Sequence, residues 1–351
     1  MPIVWKRNSD KIWKEIDLIG LNFSERSVAF RLAAASLLLY ICVVSGPSPV
    51  WGEEFDTWLA DFREEALQVG IPSETLDTAL AGVKPIPRVI ELDRHQPEST
   101  QTFAQYMAKR VTNKLAEEGR RALLEDRALL EEIGEKYGVQ PRFIVALWGL
   151  ETRFGAYTGG FPVVGALATL AHDGRRGAYF RGELLNALKI INEGHISAVE
   201  MRGSWAGAMG QSQFMPATFV SYAVDYDGDG RRDIWTTLAD VFASAANYLA
   251  NLGWRDDQTW GREVQLPADF DLGLTGHGVV KPLAYWQALG VRRVDGTDLP
   301  TRQLEASVIL PGGAGGPSYV VYDNYRRIRN WNRSDYFAMS VGRLSDLIGG
   351  G

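Results

Sequence analysis

Apolar side chains recur with the period of an α-helix along much of the chain. The first clear repeat runs through Phe55, Trp58, Leu59, Phe62 and Leu67. Because this spacing puts the apolar residues on one helix face, it predicts helices from Glu53 to about Glu118, with a new helix beginning near Ile71. Residues 85–100 are interrupted by prolines and are predicted to be extended.

The middle of the chain continues the helical pattern. A charged amphipathic helix is predicted from Arg120 to Tyr137, where Gly138 ends it. The next helix is strongly apolar; it begins at Pro141 and ends before Gly155. Further helices are predicted at about 179–193, 216–224 and 238–252.

The character of the sequence changes near Gly261. Residues 261–322 carry many Gly, Pro and Val residues and short apolar runs, which indicates a small β-rich lobe with one short helix at about 281–289. A helix is predicted again at 334–347. We therefore predict a mainly α, α+β fold in five parts: a signal peptide or N-terminal anchor at 1–52, an N-terminal helical lobe at 53–120, a helical core at 121–260, the β-rich lobe at 261–322, and a C-terminal return to the core at 323–351.

Composition narrows the class of protein. The 351 residues are 46% hydrophobic, which is enough for a sizeable core. The net charge of -6 gives no basic footprint for nucleic acid, and no nucleotide-binding glycine fingerprint stands out. Cys42 is the one cysteine, so an internal disulfide and a cysteine-rich metal site are excluded.

The N-terminal segment has the features of an export signal. Arg26 and Arg31 precede an apolar run at 32–44 that is too short to span a bilayer comfortably, and Pro47 and Gly52 follow it. We expect an exported protein that contacts a membrane only through this segment, and only if the segment is not cleaved.

One glutamate stands out by its surroundings. Glu151 lies in the last turn of the strongly apolar helix, where burial and the negative end of the helix dipole both favour the protonated carboxyl group. A glutamic acid that keeps its proton near neutral pH can donate it to a leaving oxygen. The charge of Arg153 acts in the opposite direction, and the alternative is an ordinary surface glutamate at a helix end.

A second segment combines small residues with glutamines. Residues 203–218 read Gly-Ser-Trp-Ala-Gly-Ala-Met-Gly-Gln-Ser-Gln-Phe-Met-Pro-Ala-Thr, and Pro216 opens a helix. Glycines allow close approach to the backbone, and Gln211 and Gln213 offer donors and acceptors that suit sugar hydroxyl and N-acetyl groups. The alternative is a tight loop between helices with solvated glutamines.

These stretches, together with two others, carry a family resemblance. The four are 149–155, 203–218, Asp-Tyr-Asp-Gly-Asp-Gly at 225–230, and Trp-Asn-Arg-Ser-Asp-Tyr at 331–336. In this order and spacing, the chain resembles the membrane-bound lytic transglycosylase B family of lysozyme-like murein hydrolases over about residues 53–349. The resemblance implies a lysozyme-like helical core with an N-terminal α lobe and a small β lobe.

The resemblance also implies a reaction. In that family one glutamate, matched here by Glu151, acts first as acid and then as base on the MurNAc-GlcNAc β-1,4 bond. The substrate's N-acetyl carbonyl stabilises the cationic centre, and the muramoyl 6-hydroxyl replaces water, so the products are 1,6-anhydromuropeptides. No cofactor is required for this chemistry. A mechanism with one glutamate also accounts for the lack of a second candidate carboxylate. Asp173, Glu183, Glu193 and Glu200 lie in the middle of the chain, but none of them has comparably apolar surroundings.

Further cleft residues follow from the same motifs. Ser204 and Gln213 match polar cleft residues near the N-acetyl group and the acid, Asn332 and Tyr336 match a cleft-lining Asn and Tyr, and Trp331 stands where another aromatic is often found. With Gln211, these are the predicted substrate contacts. The alternatives are a turn or helix-cap serine at Ser204 and a half-buried core tyrosine at Tyr336.

The aspartate-rich motif suggests a metal site. Asp225, Asp227 and Asp229 occupy positions one, three and five of an EF-hand-like loop, and Arg231 can offer its backbone carbonyl. Thr236 at position twelve cannot close the site, whereas Asp240 aligns with the family's closing acid if one residue is inserted. We predict a structural calcium ion; the alternative is an aspartate-rich turn without metal.

The sequence therefore predicts a peptidoglycan lytic transglycosylase of the Gram-negative periplasm. Its partners are expected to be peptidoglycan glycan strands and not nucleic acid, and we expect a monomer. Two other functions stay open: a catalytically silent peptidoglycan-binding scaffold on the same fold, and a muramidase that uses water.

Overall fold

Helices make up most of the computed structural model, which describes residues 51–95 and 101–350. The helices of the first half are α1 (Trp51–Gln68), α2 (Ser73–Ala79), α3 (Pro87–Arg94), α4 (Phe103–Arg110), α5 (Asn113–Glu125), α6 (Arg127–Tyr137) and α7 (Pro141–Thr152). Those of the second half are α8 (Val163–Asp173), α9 (Gly177–Asn192), α10 (Pro216–Tyr222), α11 (Leu238–Asn251), α12 (Leu283–Ala288), α13 (Asp323–Trp331) and α14 (Asp335–Gly349).

The strands form two antiparallel sheets. They are β1 (Phe161–Pro162), β2 (Arg202–Gly203), β3 (Gly261–Gln265), β4 (Lys281–Pro282), β5 (Arg292–Arg293), β6 (Glu305–Ile309) and β7 (Ser318–Val321). β1 pairs with β2, and the other five strands form a sheet in the order β4-β6-β7-β3-β5. Val308 lies opposite Val320 in its centre. The predicted mainly α fold with a small β-rich part is confirmed.

The prediction that residues 85–100 are extended is wrong over α3. Pro87 occupies the first turn of this helix, where its fixed φ suits the helix and its missing N–H leaves no donor unpaired. The turn between α8 and α9 also holds α3, because Arg175 and Arg176 both pair with the buried carboxylate of Asp93. Residues 96–100 lie outside the described residues.

The single helix predicted at 120–137 is two helices. α5 ends at Glu125 and α6 begins at Arg127, with Asp126 between them in a non-helical conformation. The break turns the chain so that α5 packs against α14, whereas α6 packs against α11. Charge periodicity could not show this change of partner, because both helices are amphipathic.

Apolar side chains collect in three clusters. The first surrounds α7 and takes side chains from α5, α6, α11 and α14. The second joins α1, α2, α8 and α9 with the loop before α10. The third fills the β-rich part around Trp286. Residues 55–89 therefore share a core with residues 163–234, and the boundaries drawn from the sequence at 120 and 260 stay predictions.

The export segment cannot be compared with the structure, since residues 1–50 lie outside the described part. Across 51–95 and 101–350, every helix is too short or too polar to cross a membrane.

Candidate active site

Glu151 lies in the last turn of α7, in which every residue from Phe143 to Leu150 is buried. The helix ends because Arg153 and Phe154 adopt left-handed backbone conformations with φ values of 51° and 58°. Such conformations are strained for side-chain-bearing residues and tend to occur at functional sites. Glu151 itself is half-buried, so its carboxyl group lies at the edge of the apolar core.

Arg153 forms a salt bridge with a different carboxylate, that of Glu118. Its guanidinium donates two hydrogen bonds to Glu118, from Nε to Oε2 at 3.2 Å and from Nη2 to Oε1 at 3.0 Å. The hydrogen bond from Arg153 lowers the pKa of Glu118. Glu118 therefore shares the positive charge of Arg153, which the sequence alone set against Glu151.

Trp331 donates a hydrogen bond to Glu151. The indole Nε1 lies 2.8 Å from Oε1 of the glutamate, across 180 positions of sequence. The indole ring is packed between Phe214 and Tyr248, whose ring centroids lie 5.4 and 5.1 Å away. Because Trp331 contacts both helical clusters, the tertiary fold fixes the orientation of the Glu151 carboxyl group.

Gln211 supports the end of α7 from the protein interior. Its side chain is buried, its Oε1 accepts a 2.8 Å hydrogen bond from Trp148 Nε1, and its Nε2 donates to the carbonyl of Trp235 at 2.9 Å. Its backbone carbonyl accepts from Thr152 Oγ1 at 3.0 Å. The prediction that Gln211 contacts substrate does not fit this geometry, because both ends of its amide are engaged inside the protein.

Gln213 is a third non-glycine residue with positive φ, at 48°. Its Nε2 donates to the carbonyls of Thr158 at 3.0 Å and Gly210 at 2.9 Å. Both donations fix the plane of the amide group and tie residues 210–213 to the segment that follows Glu151. All the strained non-glycine residues in the described ranges thus lie in the two motifs proposed to carry the chemistry.

Close backbone approach explains two of the glycines. A Cβ on Gly155, which has a φ of 81°, would lie 2.3 Å from Oε1 of Gln211. A Cβ on Gly159, at a φ of 97°, would lie 2.1 Å from the carbonyl oxygen of Gly203. Larger residues would push the glycine-rich segment away from the end of α7.

Ser204 is half-buried in the turn of the glycine-rich segment. Its Oγ accepts hydrogen bonds from the backbone amides of Ala206 at 3.3 Å and Ala208 at 3.1 Å. This is the geometry of the turn serine that the sequence left open. The hydroxyl hydrogen is still available for donation, so a substrate contact stays a prediction.

Two residues of the C-terminal motif, Asn332 and Tyr336, lie in different surroundings. Asn332 is exposed, and its Oδ1 accepts from the amide of Ser334 at 3.0 Å just before α14. The half-buried Tyr336 ring packs against Phe103 and Tyr106 at centroid distances of 5.3 and 5.4 Å. These contacts favour the core-tyrosine alternative for Tyr336, whereas Asn332 is free to reach solvent.

A cavity of about 470 Å³ opens beside Glu151. It runs between the end of α7 and the turn joining α4 to α5, and Tyr157, whose surface is 69% exposed, lines it as well. Among the residues that the structure describes, the cavity lining contains one carboxylate, that of Glu151, and four basic side chains: Lys109, Arg110, Lys114 and Arg153. No sequence pattern singled out these basic residues; their only local signal is their spacing within a chain that is acidic overall.

Glu183 is a buried carboxylate in the middle of the chain, but it has a structural partner. Its Oε2 accepts from the amide of Ala217 at 2.9 Å, in the first turn of α10. Burial raises the pKa of Glu183. The side chain therefore serves as a cap for α10 from the neighbouring α9.

The aspartate-rich loop brings three carboxylates together. Asp225, Asp227 and Asp229 each offer an oxygen within 4.8 Å of the others. Backbone amides hold them, with Gly228 and Gly230 donating to the two oxygens of Asp225 at 2.8 and 2.9 Å. Hard oxygen donors in a tight turn fit a calcium ion.

Asp240 supports the loop from the protein interior. It is fully buried, and its two oxygens accept from the amides of Tyr226 and Asp233, each at 2.7 Å. Burial raises the pKa of Asp240. Asp240 does not belong to the group of three carboxylates, and Arg231 directs its guanidinium at Asp229 over 3.3 Å, so neither the closing acid nor the carbonyl ligand is assigned by this geometry.

Comparison with known proteins gives a consistent picture. A family model described as a transglycosylase SLT domain matches residues 54–346. Membrane-bound lytic murein transglycosylase B of Escherichia coli K12 is 32% identical over 220 residues, which cover 62% of this chain and 60% of that protein. This chain therefore aligns with less than two thirds of that relative.

Solved structures are similar over most of the chain. SltB3 of Pseudomonas aeruginosa, in complex with NAG-anhNAM-pentapeptide, has a TM-score of 0.83 and 44% identity, covering 85% of this chain and 80% of that chain. SLT35 of Escherichia coli, in complex with calcium, has a TM-score of 0.71 and 28% identity, covering 83% of this chain and 92% of that chain. These likenesses confirm the predicted fold class.

Proposed function

The chain belongs to the transglycosylase SLT domain family, and on that premise we propose that it is a peptidoglycan lytic transglycosylase. It cleaves the MurNAc-GlcNAc β-1,4 bond and releases 1,6-anhydromuropeptides. The similarity to a lytic murein transglycosylase, and to SltB3 in complex with an anhydromuropeptide, supports this activity.

The mechanism rests on Glu151, the one carboxylate among the described residues that line the cavity. Enzymes that hydrolyse a glycosidic bond generally place two carboxyl groups around it. With one, the substrate has to provide the second function. Glu151 protonates the bridging oxygen as the bond to C1 breaks, and the substrate's N-acetyl carbonyl stabilises the cationic centre. The Glu151 carboxylate then takes the proton of the muramoyl 6-hydroxyl as that oxygen bonds to C1.

The neighbouring residues orient the acid and do not take part in proton transfer. Trp331 holds one oxygen of Glu151, while Gln211 and Thr152 hold the last turn of α7 in place. Gln213 keeps the glycine-rich segment against this helix end. Ser204, Asn332 and Gln213 are the proposed contacts to the sugar; they lie outside the lining of the cavity beside Glu151.

Muropeptide analysis tests this function. Each product released from purified murein should be lighter by one water than the matching product of lysozyme, and it should resist borohydride reduction. Reducible ends throughout would establish a muramidase. Murein that is bound but never cleaved would favour the silent scaffold.

We also propose a structural calcium ion in the aspartate-rich loop. Asp225, Asp227 and Asp229 would hold it, and the calcium complex of SLT35 supports the proposal. The ion would offset two of the three negative charges of these carboxylates and rigidify the loop before α11. The catalytic steps above do not require it.

Export to the periplasm and a monomeric state complete the proposal. The apolar run at 32–44, preceded by Arg26 and Arg31, supports export. The murein substrate lies in that compartment, and the relative from Escherichia coli is named as membrane-bound.

A further inference from the structure

His277 connects the β-rich part of the molecule to the C-terminal motif. It lies between β3 and β4, in a segment held to the sheet because the amide of Gly276 donates to the carbonyl of Val308 at 2.7 Å. The imidazole Nε2 lies 2.9 Å from Oδ1 and 3.0 Å from Oδ2 of Asp335, at the start of α14. The other ring nitrogen, Nδ1, is buried and has no hydrogen-bond partner within residues 51–95 and 101–350, so Nε2 fixes the ring.

Two further side chains hold Asp335. The guanidinium of Arg329 pairs with Oδ1, and the hydroxyl of Tyr325 lies 3.3 Å from the same oxygen. The fully buried Tyr325 ring stacks on the imidazole of His277, with a centroid distance of 5.9 Å and an interplanar angle of 14°. Burial acts to raise the pKa of Asp335, but the hydrogen bond from His277 and the charge of Arg329 outweigh it, and the pKa is lowered. The carboxylate is therefore ionised where α13, α14 and the β-rich part meet.

This cluster encloses the residue that orients the acid. Arg329 precedes Trp331 and Asp335 follows it, so their ion pair closes the turn between α13 and α14. Arg329 also donates from Nη2 to the carbonyl of Arg333, inside the same turn, at 3.4 Å. The indole of Trp331 in turn donates to Glu151 at 2.8 Å. A displacement of the turn would therefore move the indole donor relative to the carboxyl group.

We propose that His277 is a positioning residue for catalysis: by holding Asp335, it lets the β-rich part keep Trp331 in place against Glu151. The inference rests on the proposed function and gives the β-rich part a role in it, although none of the proposed sugar contacts lies there. Small displacements of a reacting group are costly in rate, so the residues that support it matter. Ser334 caps α14 independently by accepting from the amide of Phe337, and loss of His277 should leave this helix folded.

Three substitutions of His277 separate its hydrogen bond from its packing. In His277→Gln the amide nitrogen stands near the position of Nε2 and can donate to Asp335, whereas in His277→Asn it stands near that of Nδ1 and cannot. We expect kcat to fall about three- to fivefold in His277→Ala and His277→Asn with little change in KM, and to stay within about twofold of the wild type in His277→Gln.

His172→Ala is the matched control. It also removes a half-buried imidazole, one that packs on the rings of Phe55 and Trp58 at centroid distances of 5.2 and 5.7 Å. This variant should lower Tm but leave kcat per folded molecule unchanged, because its contacts lie in another part of the core.

A double-mutant cycle tests whether the effect passes through Trp331. If His277 acts by positioning the indole, His277→Ala should cause no further loss of kcat in a Trp331→Phe background, whereas independent effects would multiply. The same fold loss in that background, equal losses in the glutamine and asparagine variants, or an unchanged kcat in His277→Ala would each overturn the proposal while leaving the transglycosylase function standing. A wild type that releases no anhydromuropeptides would instead count against the proposed function.

Discussion

The loop at Asp225 and the site at Glu151 are built in opposite ways. In the loop, three carboxylates and the amides that hold them come from neighbouring positions, and the most distant support, Asp240, is 14 residues from Tyr226. At the active site, Glu151 is held by Trp331 from 180 residues away, and its helix end by Gln211 from about 60 positions along the chain.

The two sites therefore depend on different parts of the fold. The loop carboxylates are brought together by their spacing in the sequence. Substitutions elsewhere in the fold should therefore leave the loop intact, whereas loss of its own aspartates should abolish metal binding. The active site is a meeting point of α7, the glycine-rich segment and the end of α13, so it should respond to substitutions that move any of them.

The largest effect is expected for Glu151→Gln. Glutamine keeps the size of the side chain but cannot deliver a proton, so turnover should fall about 10²–10⁴-fold. The melting temperature and the binding of murein in a sedimentation assay should change little. A variant with near-normal turnover would show that Glu151 is structural.

The next largest effect is expected for Trp331→Phe. The ring stays packed between Phe214 and Tyr248, but the donor to Glu151 is lost, and kcat should fall about tenfold because the acid is less well oriented. Trp254→Phe is the matched control, since it removes an indole donor to Gln140. Equal losses of activity per folded molecule in both variants would contradict a specific role for Trp331.

A smaller effect, on stability and not on turnover, is expected for calcium. A ligand that binds only the folded state stabilises it by about 2.7 kcal/mol at a hundred times its Kd. That should raise Tm by several degrees, and Asp227→Ala/Asp229→Ala should abolish the rise. An identical melting curve with calcium and with chelator would contradict the proposed calcium site.

The smallest effect is expected for Tyr336→Phe. Its ring packs against Phe103 and Tyr106, and phenylalanine preserves that contact. Turnover should therefore change less than about twofold, because only a hydroxyl is lost. A tenfold loss of kcat with unchanged Tm would restore Tyr336 as a substrate contact.

The same contrast explains how much the sequence could predict. Helices such as α7 and α11 follow from apolar periodicity, with Pro141 at the start of α7, and the three loop carboxylates follow from spacing alone. The position of Glu151 in the last helical turn was predictable for the same reason.

Other features depend on contacts between distant segments. The pairing of Arg153 with Glu118 and the burial of Gln211 against Trp148 are set by how α5, α7 and the glycine-rich segment pack. The basic cavity lining arises only when the turn between α4 and α5 meets the end of α7. No local pattern contains this information.

The central claim is that one carboxylate suffices because the substrate supplies the attacking oxygen. Digestion of murein in water enriched in oxygen-18, followed by mass spectrometry of the muropeptides, tests it most directly. The transglycosylase mechanism predicts that the newly formed MurNAc ends contain no oxygen-18, since the 6-hydroxyl of the sugar closes the ring. Incorporation of one oxygen-18 atom at each new end would show that water is the acceptor and would contradict the account.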